Sequence, residues 1–233
     1  MLIIKSLFAI LGQALIFGVL LIVPAGLLPE GTWLWHRAIY FCIGYFIFLV
    51  PVVIYIAKVA PGGLEARFKR APKDEKRPKA DKILLPLVSI AIVAIFLAIP
   101  FDRFYFQLLP MPDLTTSIVG VGLAMIGLLI NSASLVANAY ITPTIQDQTH
   151  EGQKVADTGV YGFVRHPMYT SLFMLFAGMA LWLESWTAVL LNIPLLIVII
   201  IRIIVEEKKL KETLPGYPAY MKKVKYRLLP FIW

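Results

Sequence analysis

Long apolar runs separated by short polar connections dominate this sequence. Six stand out, at residues 3–28, 35–57, 83–109, 114–140, 169–184 and 186–205. Crossing a bilayer as a helix takes about 20 apolar residues, so five of the runs are long enough and the fifth in order, 169–184, is short. The short run and the one after it predict a tight helical hairpin turning at Glu184 and Ser185. The runs do not alternate polar with apolar residues, as barrel strands would. Open sheet edges are not tolerated in lipid. The expected fold class is therefore all-α: a polytopic membrane helix bundle of about six spans, with a cytoplasmic loop before the hairpin and an interfacial C-terminal segment.

Composition narrows the class further. Of 233 residues, 59% are hydrophobic and 15% charged, against about a quarter charged in a soluble domain. Disorder and an ordinary water-soluble domain are excluded, and the spans leave no room for a large separate soluble domain. Cys42 is the one cysteine, which excludes an internal disulfide framework and a cysteine-cluster metal site. No metal site is expected.

The net charge of +8 matters through its placement. The connection 61–82 holds Arg67, Lys69, Arg70, Lys73, Lys76, Arg77, Lys79 and Lys82, and the tail holds Lys208, Lys209, Lys211, Lys222, Lys223, Lys225 and Arg227. With an even number of crossings these fall on one side, together with Lys5, Lys154 and Arg165, while Arg37 and Arg103 lie toward the other. The positive-inside rule puts the basic side, both termini included, in the cytoplasm. The charge is then a topology signal and a contact for anionic lipids, and nucleic acid is not an expected partner. The first apolar run exceeds a signal-peptide core and lacks an A-x-A ending, so it is expected to be a retained signal-anchor helix.

Polar residues are sparse before residue 110. Connection 61–82, with its Pro-Gly-Gly start, is expected to be a solvated linker, and Asp102 and Arg103 to pair with each other or reach the interface. Asn131, Ser132, Ser134 and Asn138 suit helix–helix packing. The run from Gly120 to Gly127 is not G-x-G-x-x-G and is expected to be a close-packing helix face. Segment 142–169 is different. It concentrates Gln146, Gln148, His150, Gln153, Asp157, Tyr161, Arg165, His166 and Tyr169, with turns expected at Gly159 and Gly162 and a stop at Pro167. A second cluster closes the last run. Arg202 lies within it, and Glu206 and Glu207 follow. Positions 202 and 206 share one helix face, so they either pair one turn apart or face a common pocket. An ionisable group inside a span is a functional hypothesis by default. Leu210, Leu214, Tyr217, Tyr220 and Val224, interleaved with lysines, predict an amphipathic interfacial segment broken at Pro215-Gly216. Trp233 suits the headgroup layer.

Four motifs in order carry a resemblance. They are Gly159-Val-Tyr161-Gly-Phe-Val-Arg165-His166-Pro167-Met168-Tyr169, Arg202-Ile-Ile-Val-Glu206-Glu207-Lys-Lys-Leu210, Gly216-Tyr217-Pro-Ala-Tyr220, and Arg227-Leu-Leu-Pro230-Phe-Ile-Trp233. Together they resemble the isoprenylcysteine carboxyl methyltransferase family of integral membrane enzymes. Phospholipid N-methyltransferases share the Arg-His-Pro and Glu-Glu elements. The resemblance covers about the last hundred residues and implies a methyltransferase core at 111–233 behind three N-terminal spans at 1–110. It implies methyl transfer from S-adenosyl-L-methionine to a lipophilic acceptor such as a prenylcysteine carboxylate. Carried over by motif position, the cofactor is held by Gln146, Gln153, Lys154, Val155, Ala156, Tyr161, His166, Pro167, Met168, Tyr169 and Glu206, and Arg202 stands on the substrate side as the catalytic arginine. Two positions depart from the pattern: Gln153 stands where the family often has His, and Ser171 where it often has Gly. Alternatives of other chemistry are a phospholipid amine as acceptor, a sterol-reductase-like enzyme using NADPH, and a transporter or scaffold without cofactor.

Overall fold

The computed structural model describes residues 1–68 and 77–233. Lys69, Arg70, Lys73 and Lys76 of the basic connection lie outside the described residues. Among the described residues all regular structure is helical, in nine α-helices. These are α1 (Leu2–Leu27), α2 (His36–Val59), α3 (Pro61–Phe68), α4 (Asp81–Phe101), α5 (Leu114–Ala137), α6 (Pro167–Trp182), α7 (Trp186–Leu190), α8 (Asn192–Thr213) and α9 (Tyr217–Lys223). Five segments are long and apolar enough to cross a membrane: α1, α2, α4 with the π-turn that extends it to Phe106, α5, and α7 with α8. Apolar side chains cover much of their outward surface, including Phe8, Ile47, Ile90, Ile118 and Ile197. That surface is stable only against lipid.

Helix α6 has 16 residues, about 24 Å at 1.5 Å per residue. It nevertheless runs antiparallel to α5 over nearly its whole length, because three glycines let the backbones touch. A Cβ on Gly120 would lie 2.6 Å from the Cβ of Leu181, and one on Gly127 would lie 2.8 Å from the backbone oxygen of Ser171. Gly178 on α6 meets the backbone of Gly120 and Ala124 in the same way. The glycine run is thus the close-packing face expected of it. Ser171 turns its hydroxyl back to the carbonyl of Met168 on its own helix, at 2.6 Å.

The chain reverses after α6 at Glu184, whose φ of 65° is left-handed. Ser185 then caps α7 by accepting from the amide of Ala188. The hairpin turn falls where expected, but its arms diverge: α6 packs mainly along α5, and α8 along α4. A break at Leu191 separates α7 from α8, where Pro194 has no N–H to offer the carbonyl of Leu190. At this end of the bundle Glu184 takes both Arg37, at 3.3 Å, and Arg103, at 2.8 Å. Asp102 and Arg103 therefore do not pair with each other. The π-turn swings Asp102 inward to accept from Ser185 at 2.7 Å and Thr187 at 2.9 Å.

At the opposite end lie the start of α1, helix α3, the loop 138–166 and the end of α8. The connection expected to be a solvated linker instead folds in its first part into α3. Proline starts that helix, and Gly62 and Gly63 press it against Ala139 and the carbonyl of Leu135 at the end of α5. This contact decides where the next turn of α3 points.

Candidate functional site

A cavity of about 660 Å³ opens at this second end and runs into the bundle. Its polar part is walled by the 142–156 loop, Tyr161, His166, Met168, Tyr169, Arg202 and Glu206. Its apolar arm is walled by α1, α2 and α4 through Ile10, Phe17, Leu49, Val53, Val88 and Ile92, among others. Leu210, Leu214, Tyr217 and Tyr220 form a roof.

The two adjacent glutamates divide the work. Glu207 is 2% exposed and sits among two arginines and a histidine. Arg165 donates to it at 2.7 Å, Arg227 at 3.0 Å, and the His166 ring lies 3.2 Å away. Arg165 also donates to the carbonyls of Val224 and Lys225. The amides of Arg165 and His166 donate to the carbonyls of Tyr226 and Arg227. The Arg-His-Pro motif therefore pins the C-terminal segment to α8. Tyr220 completes the pin by donating to the carbonyl of Tyr161 at 2.8 Å. Burial pushes the phenols of Tyr161 and Tyr220 above their ordinary range, so both stay neutral.

Glu206, a residue away and turned by about 100° on the helix, faces the cavity instead. It accepts from the Tyr169 hydroxyl at 2.9 Å. Arg202 faces the same cavity one turn earlier, but the two do not pair. Arg202 donates through Nε to Asp81 at 2.9 Å and through a terminal nitrogen to the carbonyl of Pro143. Its guanidinium carbon lies 5.9 Å from the centre of the Tyr169 ring. Asp81, fully buried at the start of α4, also takes Arg77 at 2.5 Å and the amide of Ile145 at 3.1 Å.

The structure brings together almost every residue that the resemblance placed on the site. Gln146, Gln153, Lys154, Val155, Ala156, Tyr161, His166, Met168, Tyr169, Arg202 and Glu206 all line the cavity. Pro167 does not. It is buried as the first residue of α6, where its missing N–H costs nothing. His150 also stands apart, exposed beside Glu151. Two participants escaped the sequence reading, Asp81 and Arg67. Both sit in or beside the basic connection, where a charge run is ordinarily just a solvated face.

The chemistry of this wall fits S-adenosylmethionine. Glu206 offers a carboxylate for its ammonium, Tyr161 and Tyr169 offer ring faces for a sulfonium, and loop 146–156 offers amides and backbone for adenine and ribose. The Gln146 side-chain oxygen is buried without a hydrogen-bond partner among the described residues. Buried polar atoms are almost always paired, so this one is a natural acceptor for a bound group.

No curated protein matches the chain. Residues 115–215, from α5 to the end of α8, match the model of the phospholipid methyltransferase family, which supports a membrane methyltransferase acting on a lipophilic substrate.

Proposed function

We propose that the protein transfers a methyl group from S-adenosyl-L-methionine to the carboxylate of a prenylcysteine-like amphiphile at the cytoplasmic face of a membrane. The observation that carries this is the shape of the cavity. Its polar end gathers Glu206, Tyr161, Tyr169 and the Gln146 oxygen, and continues without a break into an apolar arm inside the bundle. A water-soluble donor and a lipid-soluble acceptor are thereby given one meeting place. Orientation follows from the basic residues at the cavity's end. The division of labour follows the chain: residues 111–233 hold the donor, and residues 1–110 wall the acceptor's tail.

When bound, the cofactor supplies an electrophilic methyl carbon whose bond to sulfur breaks as a carboxylate oxygen bonds to it. An acceptor already ionised needs no base, so the protein's contribution is positioning, worth roughly 7–11 kcal/mol when alignment is good. Asp81 and the Pro143 carbonyl fix the Arg202 guanidinium, and its remaining N–H groups orient the acceptor carboxylate. Glu206, steadied by Tyr169, holds the donor's ammonium. The roof formed by Tyr217, Tyr220 and Leu214 keeps water from the reacting atoms.

A phospholipid amine is the second reading, favoured by the family match over residues 115–215. The two differ in product. Protein in nanodiscs is incubated with methyl-tritiated S-adenosylmethionine and either N-acetyl-S-farnesylcysteine or phosphatidylethanolamine. Base-labile label released as methanol from the first supports the carboxylate. Base-stable label on the second supports the amine, and no transfer to either contradicts both.

A further inference from the structure

Arg67 is a cavity-lining arginine that meets no carboxylate among the described residues. It extends from α3 into the cavity wall, partly buried. Its polar contact is the Met168 sulfur, 2.7 Å from a terminal nitrogen, and a thioether is only a weak acceptor. No carboxylate pairs with Arg67 among the described residues. Burial is the largest influence on its acidity, pulling its pKa below the ordinary arginine value, and the positive charge of Arg202 adds to that.

The other arginines of this end each reach a carboxylate. Arg77 and Arg202 share Asp81, and Arg165 and Arg227 share Glu207. A guanidinium out of bulk water without an anion is costly, and α3 is built to hold this one there. Gly62 and Gly63 bring the helix backbone against α5 so closely that any side chain at either position would collide. Arg67 follows one turn later and therefore reaches the cavity rather than the surface.

Arg67 stands where the polar and apolar parts meet. Met168, its neighbour, adjoins Tyr169 on the donor side, while Leu64 and Ile56, from its own helix and from α2, line the cavity beside the apolar arm. An amphiphile whose tail lies among Phe17, Leu49 and Val53 would put its headgroup at this junction.

We infer that Arg67 is the specificity-determining cation for the acceptor, selecting an amphiphile whose headgroup carries an acidic group. The assignment rests on the methyltransferase reading above. It distributes the two arginines over different tasks. Arg202, held in place by Asp81, orients the acceptor. Arg67, with no carboxylate partner among the described residues, supplies the charge that distinguishes an acid from a neutral molecule of the same shape. The donor's own carboxylate is the other anion that could use such a site, and the experiment separates the two.

Wild type, Arg67→Gln and Arg67→Lys are reconstituted in nanodiscs, and three ligands are titrated. S-Adenosylhomocysteine is titrated alone. N-Acetyl-S-farnesylcysteine and its methyl ester are titrated onto the S-adenosylhomocysteine complex. Wild type is expected to bind the acid about tenfold to a hundredfold more tightly than the ester, the scale of a charge-assisted hydrogen bond. Arg67→Gln cuts that preference about tenfold while binding S-adenosylhomocysteine within about twofold of wild type, and Arg67→Lys keeps more of it. A wild type with no preference for the acid, or a glutamine variant that retains it, overturns the inference. So does a glutamine variant that loses S-adenosylhomocysteine affinity, which would assign Arg67 to the donor or to the fold. Failure of wild type to bind S-adenosylhomocysteine at all instead overturns the methyltransferase reading.

Discussion

The two halves of the cavity are made differently. On the side of α1, α2 and α4 the wall is mostly carbon, from Phe17, Leu49, Val53, Val88 and Ile92. On the side of α5 to α9 the wall is a polar network, in which one buried carboxylate, Glu207, organises Arg165, His166 and Arg227. A carbon wall accommodates varied shapes with little directional demand, because apolar contact is not directional. A charge network requires every partner, because a buried group left unpaired is penalised in full. The N-terminal helices should therefore tolerate substitution of lining residues, and the C-terminal region should not. The family match follows the same boundary, beginning at residue 115.

Substitutions at the extremes sharpen this contrast. Glu207→Ala strands Arg165 and His166 in the interior. Unfolding in mild detergent should register a loss of about 3–5 kcal/mol, the cost of breaking a buried ion pair, and a loss under 1 kcal/mol would remove Glu207 from the centre of the network. Asp81→Asn tests a buried polar tie between the halves. It leaves Arg202 and Arg77 without their anion, for an expected loss of about 2–3 kcal/mol, with the α4–α8 contact the first to exchange amide protons. Unchanged exchange there would mean the tie contributes nothing. Gly178→Ala drives a Cβ into the backbone of Gly120 and Ala124. The expected cost is about 1–3 kcal/mol, accompanied by separation of α5 and α6 measured by spin-label distances. A variant with wild-type spacing would show that the helices do not depend on the glycine contact.

Helix existence was legible because the apolar runs exceed anything a soluble fold needs, and the loop 142–169 was legible because polar side chains are rare elsewhere. The common face of Arg202 and Glu206 followed from helical spacing and is seen in the cavity. What the sequence left open was partnership. An arginine one turn before a glutamate suggests a local pair, yet Arg202 goes to Asp81, 121 residues earlier. Periodicity reports the face a residue occupies and says nothing of which distant helix meets it. The same holds for Glu206 and Glu207: adjacent and chemically identical, they differ only in what packs beside them. Helix α3 and Arg67 were hidden for another reason. Pro61-Gly62-Gly63 followed by mixed charge reads as a turn, and only the close approach to Ala139 and Leu135 turns those glycines into a packing surface.

The central claim is that loop 146–169 and the end of α8 form one binding site for the methyl donor, with Glu206 as its carboxylate. Calorimetric titration of wild type and Glu206→Ala with S-adenosylhomocysteine, alongside NADPH as a control, tests it directly. The account predicts saturable binding of S-adenosylhomocysteine by wild type, none of NADPH, and at least about a hundredfold weaker binding by a Glu206→Ala variant that unfolds like wild type, a loss of about 2.7 kcal/mol. Equal affinity in the two proteins, or binding of NADPH in preference, would contradict it.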